Sequence, residues 1–236
     1  MLRAFAELQA PERRPPSWVL RSILALSGLV MAAFVFVHML GNLKLLVDPG
    51  SMDAYAAWLR DLLVPLLPRE GALWIARILL ASCLIAHAWS ALVLKARAAA
   101  TRTRGVRRKG PTGILAALML PSGLILLAFV AVHLLDLTLG RIVQSEAFAP
   151  PDPQFHAAAN VIASLARPVM AAFYALSLLA LAAHLLHGIG LAAKDLGAVS
   201  RGSFARWRIT GALVAAMILL GDGAIVILSL MTGGPA

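Results

Sequence analysis

The chain has 236 residues, of which 61% are hydrophobic, and its net charge at neutral pH is +10. Its mean hydropathy of +0.85 exceeds that of a soluble domain, in which about half of the residues are apolar. Its long apolar runs lack the two-residue alternation of a transmembrane β-barrel and indicate an all-α polytopic membrane bundle. The basic residues cluster between these runs, so membrane topology explains them better than nucleic-acid binding does. We therefore expect no nucleic-acid partner.

Five apolar runs follow a polar N-terminal tail, residues 1–18, which we predict to lie at the cytoplasmic surface. Each run has about the 20 residues that cross ~30 Å of hydrocarbon. We predict a single domain over residues 1–236, with a bundle of five transmembrane helices over residues 19–231. The runs extend from Trp18 to Leu46, Leu73 to Leu94, Ile114 to Leu139, Pro168 to Ala193 and Ile209 to Met231.

The distribution of Lys and Arg predicts the orientation of the bundle. The tail and the connections after the second and fourth runs are basic, whereas the other two connections mix basic and acidic residues. The positive-inside rule then places the N-terminus in the cytoplasm and the C-terminus outside. The two outer connections have helical apolar spacing from Met52 to Leu67 and from Phe155 to Leu165. We predict that they form short amphipathic helices that cap the bundle.

Four of the five runs contain one deep histidine each: His38, His87, His133 and His184. An ionisable ring in hydrocarbon is costly and usually functional. At 1.5 Å per residue, His38 and His133 lie ~28 Å from the cytoplasmic ends of their helices, and His87 and His184 lie ~21–23 Å from the outer ends. In spans ~37 Å long, these depths define an outer and an inner level about 13 Å apart. Two stacked bis-histidine haems, enclosed by four of the helices, fit that spacing.

An internal repeat supports the pairing of the histidines. A serine, a glycine and a histidine recur with identical spacing as Ser27, Gly28 and His38 and as Ser122, Gly123 and His133. The first two spans are thus predicted to be a parallel repeat of the third and fourth. Each serine lies about three helical turns from its histidine and would face the inner haem. Each glycine would let a flat macrocycle approach the backbone.

Other functions of the histidines remain open at this point. A histidine in a membrane helix can pair with a neighbouring hydroxyl, or it can belong to a proton relay, although relays usually recruit buried acids. His187 lies one turn from His184 on nearly the same face, and we prefer His184 because its depth matches that of His87. His187 would then bind a propionate or a quinone, or extend toward the interface. A haem-binding imidazole is expected to be fixed by a hydrogen bond to its other nitrogen.

Several polar residues are secondary candidates for cofactor contacts. Arg77 could bind a propionate of the outer haem or extend to the interface. Arg21 could meet the inner haem or a quinone, and His156 could contact a quinone or a propionate. Asp222, inside the fifth span, could serve a proton path or form a hydrogen bond between helices. The single cysteine, Cys83, is interpreted as a packing residue, and no Cys-x-x-Cys-His tract can attach haem covalently.

The ordered set of motifs resembles the di-haem cytochrome b membrane subunit of succinate dehydrogenase and fumarate reductase complexes, in its single-polypeptide, five-span form. The resemblance covers about Arg21 to Leu230. In that family the histidine of the first span pairs with that of the third, and the second with the fourth. The motifs are Ser27-Gly28 leading to His38-Met39-Leu40-Gly41-Asn42, His87-Ala88-Trp89, Ser122-Gly123 leading to His133-Leu134-Leu135-Asp136, and His184-Leu185-Leu186-His187-Gly188.

The resemblance implies a subunit that anchors a flavoprotein and an iron–sulfur subunit on the cytoplasmic side of the bacterial cytoplasmic membrane. Electrons from succinate would pass through two b haems to a membrane quinone, expected to be menaquinone. The chain itself has no dinucleotide fingerprint and no cluster-binding cysteines. A higher oligomer of the complex is a further expectation. The alternatives are a di-haem anchor of a hydrogenase, formate dehydrogenase or nitrate reductase, or a transporter, which the lack of paired discontinuous helices disfavours.

Overall fold

The fold is all-helical. A computed structural model of the chain describes residues 15–100, 111–150, 155–200 and 202–232, and these ranges contain no strand. Most of the predicted tail, residues 1–14, and much of the basic connection, residues 101–110, lie outside the described residues. Five described helices are long and apolar enough to cross a membrane, so the chain is a multi-pass membrane protein by length and composition. They extend over Ser17–Val47, Gly71–Ala100, Gly113–Thr138, Pro168–Asp195 and Ser203–Thr232.

The helices within these ranges are numbered in chain order. They are α1 (Ser17–Asn42), α2 (Lys44–Val47), α3 (Pro49–Asp61), α4 (Gly71–Ala100), α5 (Pro111–His133), α6 (Ala157–Leu165), α7 (Pro168–Asp195) and α8 (Ser203–Thr232). A π-helical segment, Leu134–Thr138, continues α5. The spans are α1 with α2, α4, α5 with the π-helical segment, α7, and α8. Both α4 and α8 extend past the predicted apolar runs, because a helix can leave the hydrocarbon without losing its internal hydrogen bonds.

The packing of the spans follows the predicted repeat. In the first half α4 packs on α1, and in the second half α7 packs on α5. The halves meet where α1 contacts α7, and α8 packs along α7. Gly211 permits the close approach of α8, because a Cβ atom there would lie 3.2 Å from the carbonyl oxygen of Leu185. Small residues commonly serve this purpose between membrane helices.

Local signals define both ends of α7. The helix begins at Pro168, whose fixed φ and missing N–H suit a first helical position. It ends before Gly197, which has a φ of +74°. The N–H of Ala198 donates to the carbonyl of Ala193 at 2.9 Å, and the N–H of Gly197 donates to Lys194 at 3.1 Å. This pair of bonds is a Schellman motif, in which a glycine with positive φ ends the helix.

The two capping helices are present, but one is shorter than predicted. α3 ends at Asp61, so the prediction of a helix to Leu67 is wrong. Leu63 has a φ of +69°, and Pro65 supplies no N–H to a helical hydrogen bond. α6 covers Ala157–Leu165, close to the predicted range. The two helices contact each other, and the Asp53 carboxylate accepts a bond from the N–H of Ala158 at 2.9 Å.

Candidate functional site

The structure brings the four deep histidines together as two pairs. The ring centroids of His38 on α1 and His133 on α5 are 5.9 Å apart, and those of His87 on α4 and His184 on α7 are 6.2 Å apart. These are the pairs that the depth estimate predicts. Two imidazoles that bind one metal ion from opposite sides, each at about 2.0 Å, place their centroids about 6 Å apart. Both pairs therefore have the separation that bis-histidine ligation requires.

The Nδ1 atoms of the inner pair are held by groups on the neighbouring span of the same half. The Nδ1 atom of His87 lies 3.0 Å from the carbonyl oxygen of Leu24 and 3.3 Å from the Oγ of Ser27. The Nδ1 atom of His184 lies 3.0 Å from the Oγ of Ser122. The expected hydrogen bond to the second ring nitrogen is thus confirmed for both inner histidines. Ser27 and Ser122 occupy equivalent positions in the repeat.

These contacts assign a tautomer to the inner histidines. Each serine hydroxyl donates to a carbonyl of its own helix at 2.6 Å, Ser27 to Ile23 and Ser122 to Leu118. The serine oxygen is then an acceptor toward the imidazole, and the Leu24 carbonyl can only accept. Nδ1 must therefore carry the proton in both rings. The Nε2 lone pair is left for a metal ion, which is the arrangement that second-shell partners of metal-binding histidines create.

The two repeated glycines make contact with the histidine rings. A Cβ atom at Gly28 would lie 3.0 Å from Cε1 of His87, which is tighter than nearly all real Cβ contacts. A Cβ atom at Gly123 would lie 3.6 Å from Cε1 of His184, which is an ordinary contact. A side chain at position 28 would therefore require the His87 ring to shift, whereas one at position 123 would not require a shift of His184. An additional contact of either glycine with a macrocycle stays a prediction.

This difference between the glycines predicts unequal effects of one substitution. Gly28→Ala should displace His87 at a cost of about 1–3 kcal/mol, whereas Gly123→Ala should fit without displacement. Both changes add the same helix propensity, about 1 kcal/mol, so their difference isolates the contact with the histidine ring. Thermal unfolding and haem content of the two variants would check this. Equal behaviour of the two would contradict the contact.

The outer pair has a different environment. The Nδ1 atom of His133 lies 3.4 Å from the hydroxyl of Tyr174, which in turn donates to Asp136 at 3.1 Å. Asp136, which is 1% exposed, also accepts bonds from Ser164 and, at 2.8 Å, from Arg167. Asp136 lies in the π-helical segment directly after His133, and such segments are frequent at functional sites. Tyr174 and Arg167 are not among the predicted site residues, and Asp136 is predicted only as the last residue of the His133 motif.

A phenylalanine stacks on each outer histidine from the preceding turn. The rings of Phe34 and His38 are 5.4 Å apart at an interplanar angle of 16°, and those of Phe129 and His133 are 5.4 Å apart at 29°. Both phenylalanines are four residues before their histidine, so they belong to the internal repeat. Their equal spacing to the histidines is a signal in the sequence that could have identified them.

Of the two neighbouring histidines on α7, His184 and His187, the structure pairs His184 with His87. Its ring lies beside that of His87, and its Nδ1 atom contacts Ser122. By residue surface area, His38 is exposed, and His87, His133, His184 and His187 are half-buried. The role proposed for His187 toward a propionate or quinone stays a prediction.

The two arginines chosen from the sequence form ion pairs near the ends of their spans. Arg77 lies 3.8 Å from Glu70 and 4.9 Å from the centroid of the Trp74 ring. Arg21, whose side chain is 58% exposed, lies 3.5 Å from Asp195 at the end of α7. Their roles toward haem propionates or a quinone stay predictions.

Asp222 forms the hydrogen bond between helices that was one of its two expected roles. The side-chain amide of Asn42 at the end of α1 donates to the Asp222 carboxyl on α8 at 3.1 Å. This bond ties the fifth span, which has no counterpart in the repeat, to the first. A role of Asp222 in proton transfer stays a prediction.

The two histidine pairs restrict the kind of cofactor that the site could bind. Within the described ranges, no group of three or more His, Cys, Asp or Glu side chains could hold a metal ion. A haem needs only two protein ligands, because its macrocycle supplies the other four nitrogens. The residues present therefore fit a haem better than a bare metal ion. Comparisons with protein-family models, curated proteins and solved structures found no match, so the function is argued from the site.

Proposed function

We propose that the chain is a di-haem cytochrome b that anchors a quinone-linked dehydrogenase in the membrane, of the succinate dehydrogenase type. The observation that carries this proposal is the presence of two histidine pairs on four helices, each with ring centroids about 6 Å apart. Bound b haems would supply reversible one-electron transfer. With two sites stacked in one bundle, the protein would connect a donor at one membrane surface with a quinone in the bilayer.

Different residues of the chain would hold each of the two haems. His38 and His133 would bind one, and His87 and His184 the other. Leu24, Ser27 and Ser122 hold the inner rings with Nδ1 protonated, so that Nε2 is directed to ligation. Phe34 and Phe129 restrict the rotation of the outer rings by stacking.

The assignment to the succinate dehydrogenase type is supported by the resemblance of the histidine motifs and by the charge pattern. The proposed partners are a flavoprotein and an iron–sulfur subunit, which would dock on the basic cytoplasmic surface. The last turns of the second span and the segment after it supply seven of its basic residues and no acid: Lys95, Arg97, Arg102, Arg104, Arg107, Arg108 and Lys109. The electron acceptor would be a membrane quinone, menaquinone in our proposal. The chain would lie in the bacterial cytoplasmic membrane with its N-terminus in the cytoplasm.

A spectroscopic experiment on the isolated complex tests this function. The tagged chain would be purified in mild detergent, and its co-purifying subunits identified by mass spectrometry. We expect a flavoprotein and an iron–sulfur protein, and we expect succinate to reduce b-type haem that dithionite also reduces. Reduction by hydrogen or formate but not by succinate would support the anchor of another dehydrogenase. A complex without haem would overturn the proposal as a whole.

A further inference from the structure

Within the part of the chain that the structure describes, the polar cluster beside His133 has no counterpart at His38, His87 or His184. It consists of Tyr174, Asp136, Ser164 and Arg167, which come from α7, the π-helical segment, α6 and the residue before α7. Tyr174 is 8% exposed, and Asp136 and Ser164 are almost completely buried. A buried carboxylate of this kind is costly unless it is paired and hydrogen-bonded. The cluster supplies this pairing through Arg167, and it places the carboxylate two hydrogen bonds away from His133.

The hydrogen bonds in the cluster run in one direction. The Tyr174 hydroxyl donates to Oδ2 of Asp136 at 3.1 Å, because an ionised carboxylate can only accept. The tyrosine oxygen is then the acceptor toward Nδ1 of His133, 3.4 Å away. Arg167 donates to Oδ1 of Asp136 at 2.8 Å and to the carbonyl of Val143 at 2.7 Å. Two hydrogen bonds thus connect His133, through the Tyr174 hydroxyl, to the Asp136 carboxylate, which Arg167 pairs as an anion.

The hydrogen-bond partners of the inner histidines, His87 and His184, are neutral among the described residues. His184 contacts the hydroxyl of Ser122, whose proton is directed to the Leu118 carbonyl of its own helix. His87 contacts the Leu24 carbonyl and Ser27. The repeat relates His133 to His38, yet within the described residues only His133 is linked by hydrogen bonds to a buried carboxylate. This asymmetry is local to four side chains and does not follow from the repeat.

We propose that Tyr174 is a positioning residue that links His133 to the Asp136 carboxylate and thereby lowers the reduction potential of the haem bound by His38 and His133. This inference rests on the proposed function. A partner that accepts strongly from Nδ1–H makes the imidazole a better electron donor to the iron. A more basic histidine ligand would stabilise the oxidised state of a bound haem, and so would a nearby negative charge. The outer and inner haems would thus have unequal potentials, set by residues of the chain.

Redox titration of a conservative variant tests this role. In Tyr174→Phe, the ring and its packing remain while the link to Asp136 is lost. We expect two haems per chain, with the outer haem shifted to a more positive potential and the inner haem unchanged. Asp136→Asn should shift the same haem in the same direction, because it removes the anion and leaves Tyr174 in place. Potentials would be followed by optical and EPR titration of the purified complex.

Two matched variants separate this role from a general effect on α7. Ser177→Ala changes a buried side chain three residues further along α7, whose hydroxyl bonds the Phe173 carbonyl at 2.8 Å. It should leave both potentials unchanged. Ser122→Ala should move the inner haem alone. Unchanged potentials in Tyr174→Phe and Asp136→Asn, or equal shifts of both haems, would overturn the role of Tyr174. A wild-type complex without haem would instead overturn the proposed function, and the two failures are therefore distinguishable.

Discussion

Replacing His133 with alanine is expected to reduce the haem content of the purified chain from two to one. The same result is expected for His38→Ala, because both rings would bind the same iron. His133→Ala and His38→Ala should both lose the outer haem. His87→Ala and His184→Ala should both lose the inner haem. Haem stoichiometry and reduced-minus-oxidised spectra, with the potential of the remaining haem, would identify which is lost.

The remaining haem in each single variant is an internal control for folding. A double variant, His38→Ala with His133→Ala, should lose no more haem than either single variant, whereas His38→Ala with His87→Ala should lose both. His187→Ala is the matched control on α7 and should retain two haems. Loss of the same haem in His38→Ala and His87→Ala would contradict the pairing. Loss of the inner haem in His187→Ala but not in His184→Ala would show that His187, and not His184, binds it.

Arg167→Ala is expected to cause a large loss of stability. It removes the cationic partner of Asp136, which is 1% exposed, and leaves a buried charge with only neutral partners. Breaking a buried ion pair in this way costs about 3–5 kcal/mol. The Arg167 side chain is 34% exposed, so we expect a value near the lower end, about 3 kcal/mol. The free energy of unfolding in detergent, or the melting temperature at fixed detergent concentration, would measure it.

The second member of the ion pair provides the control for this prediction. In Arg167→Ala combined with Asp136→Asn, no buried charge remains, so the double variant should be more stable than Arg167→Ala alone. The bonds from Arg167 to Val143 and Ser164 are lost in both cases and cancel in the comparison. Wild-type stability in Arg167→Ala, or a double variant that is less stable than the single one, would show that the ion pair does not support the fold.

The five spans and the two histidine pairs could be predicted because their signals are local. Span length follows from continuous apolar runs, and the depth of a histidine follows from its distance to the end of its own run. Ser27 and Ser122 were also predictable as partners of the inner site, because the spacing within the repeat places them on the face of their histidine. The structure adds which nitrogen each serine holds.

The cluster around Asp136 could not be predicted, because its members meet only in the folded chain. Arg167 and Tyr174 are far from Asp136 in sequence, and a π-helical segment shifts Asp136 relative to the helical face of His133. No periodicity in the sequence indicates that shift. The end of α3 was missed for a different reason, since apolar spacing continued to Leu67 while Pro65 and the conformation at Leu63 ended the helix. Phe34 and Phe129, in contrast, were visible in the repeat.

The most direct test of the central claim is the haem content of the purified wild-type chain, measured by pyridine haemochrome against protein concentration from amino-acid analysis. Two haem b per chain, with two separate midpoint potentials, are predicted by the geometry of the His38–His133 and His87–His184 pairs. A chain that folds in the membrane and binds no haem, in a host that supplies haem to a control cytochrome, would contradict the claim.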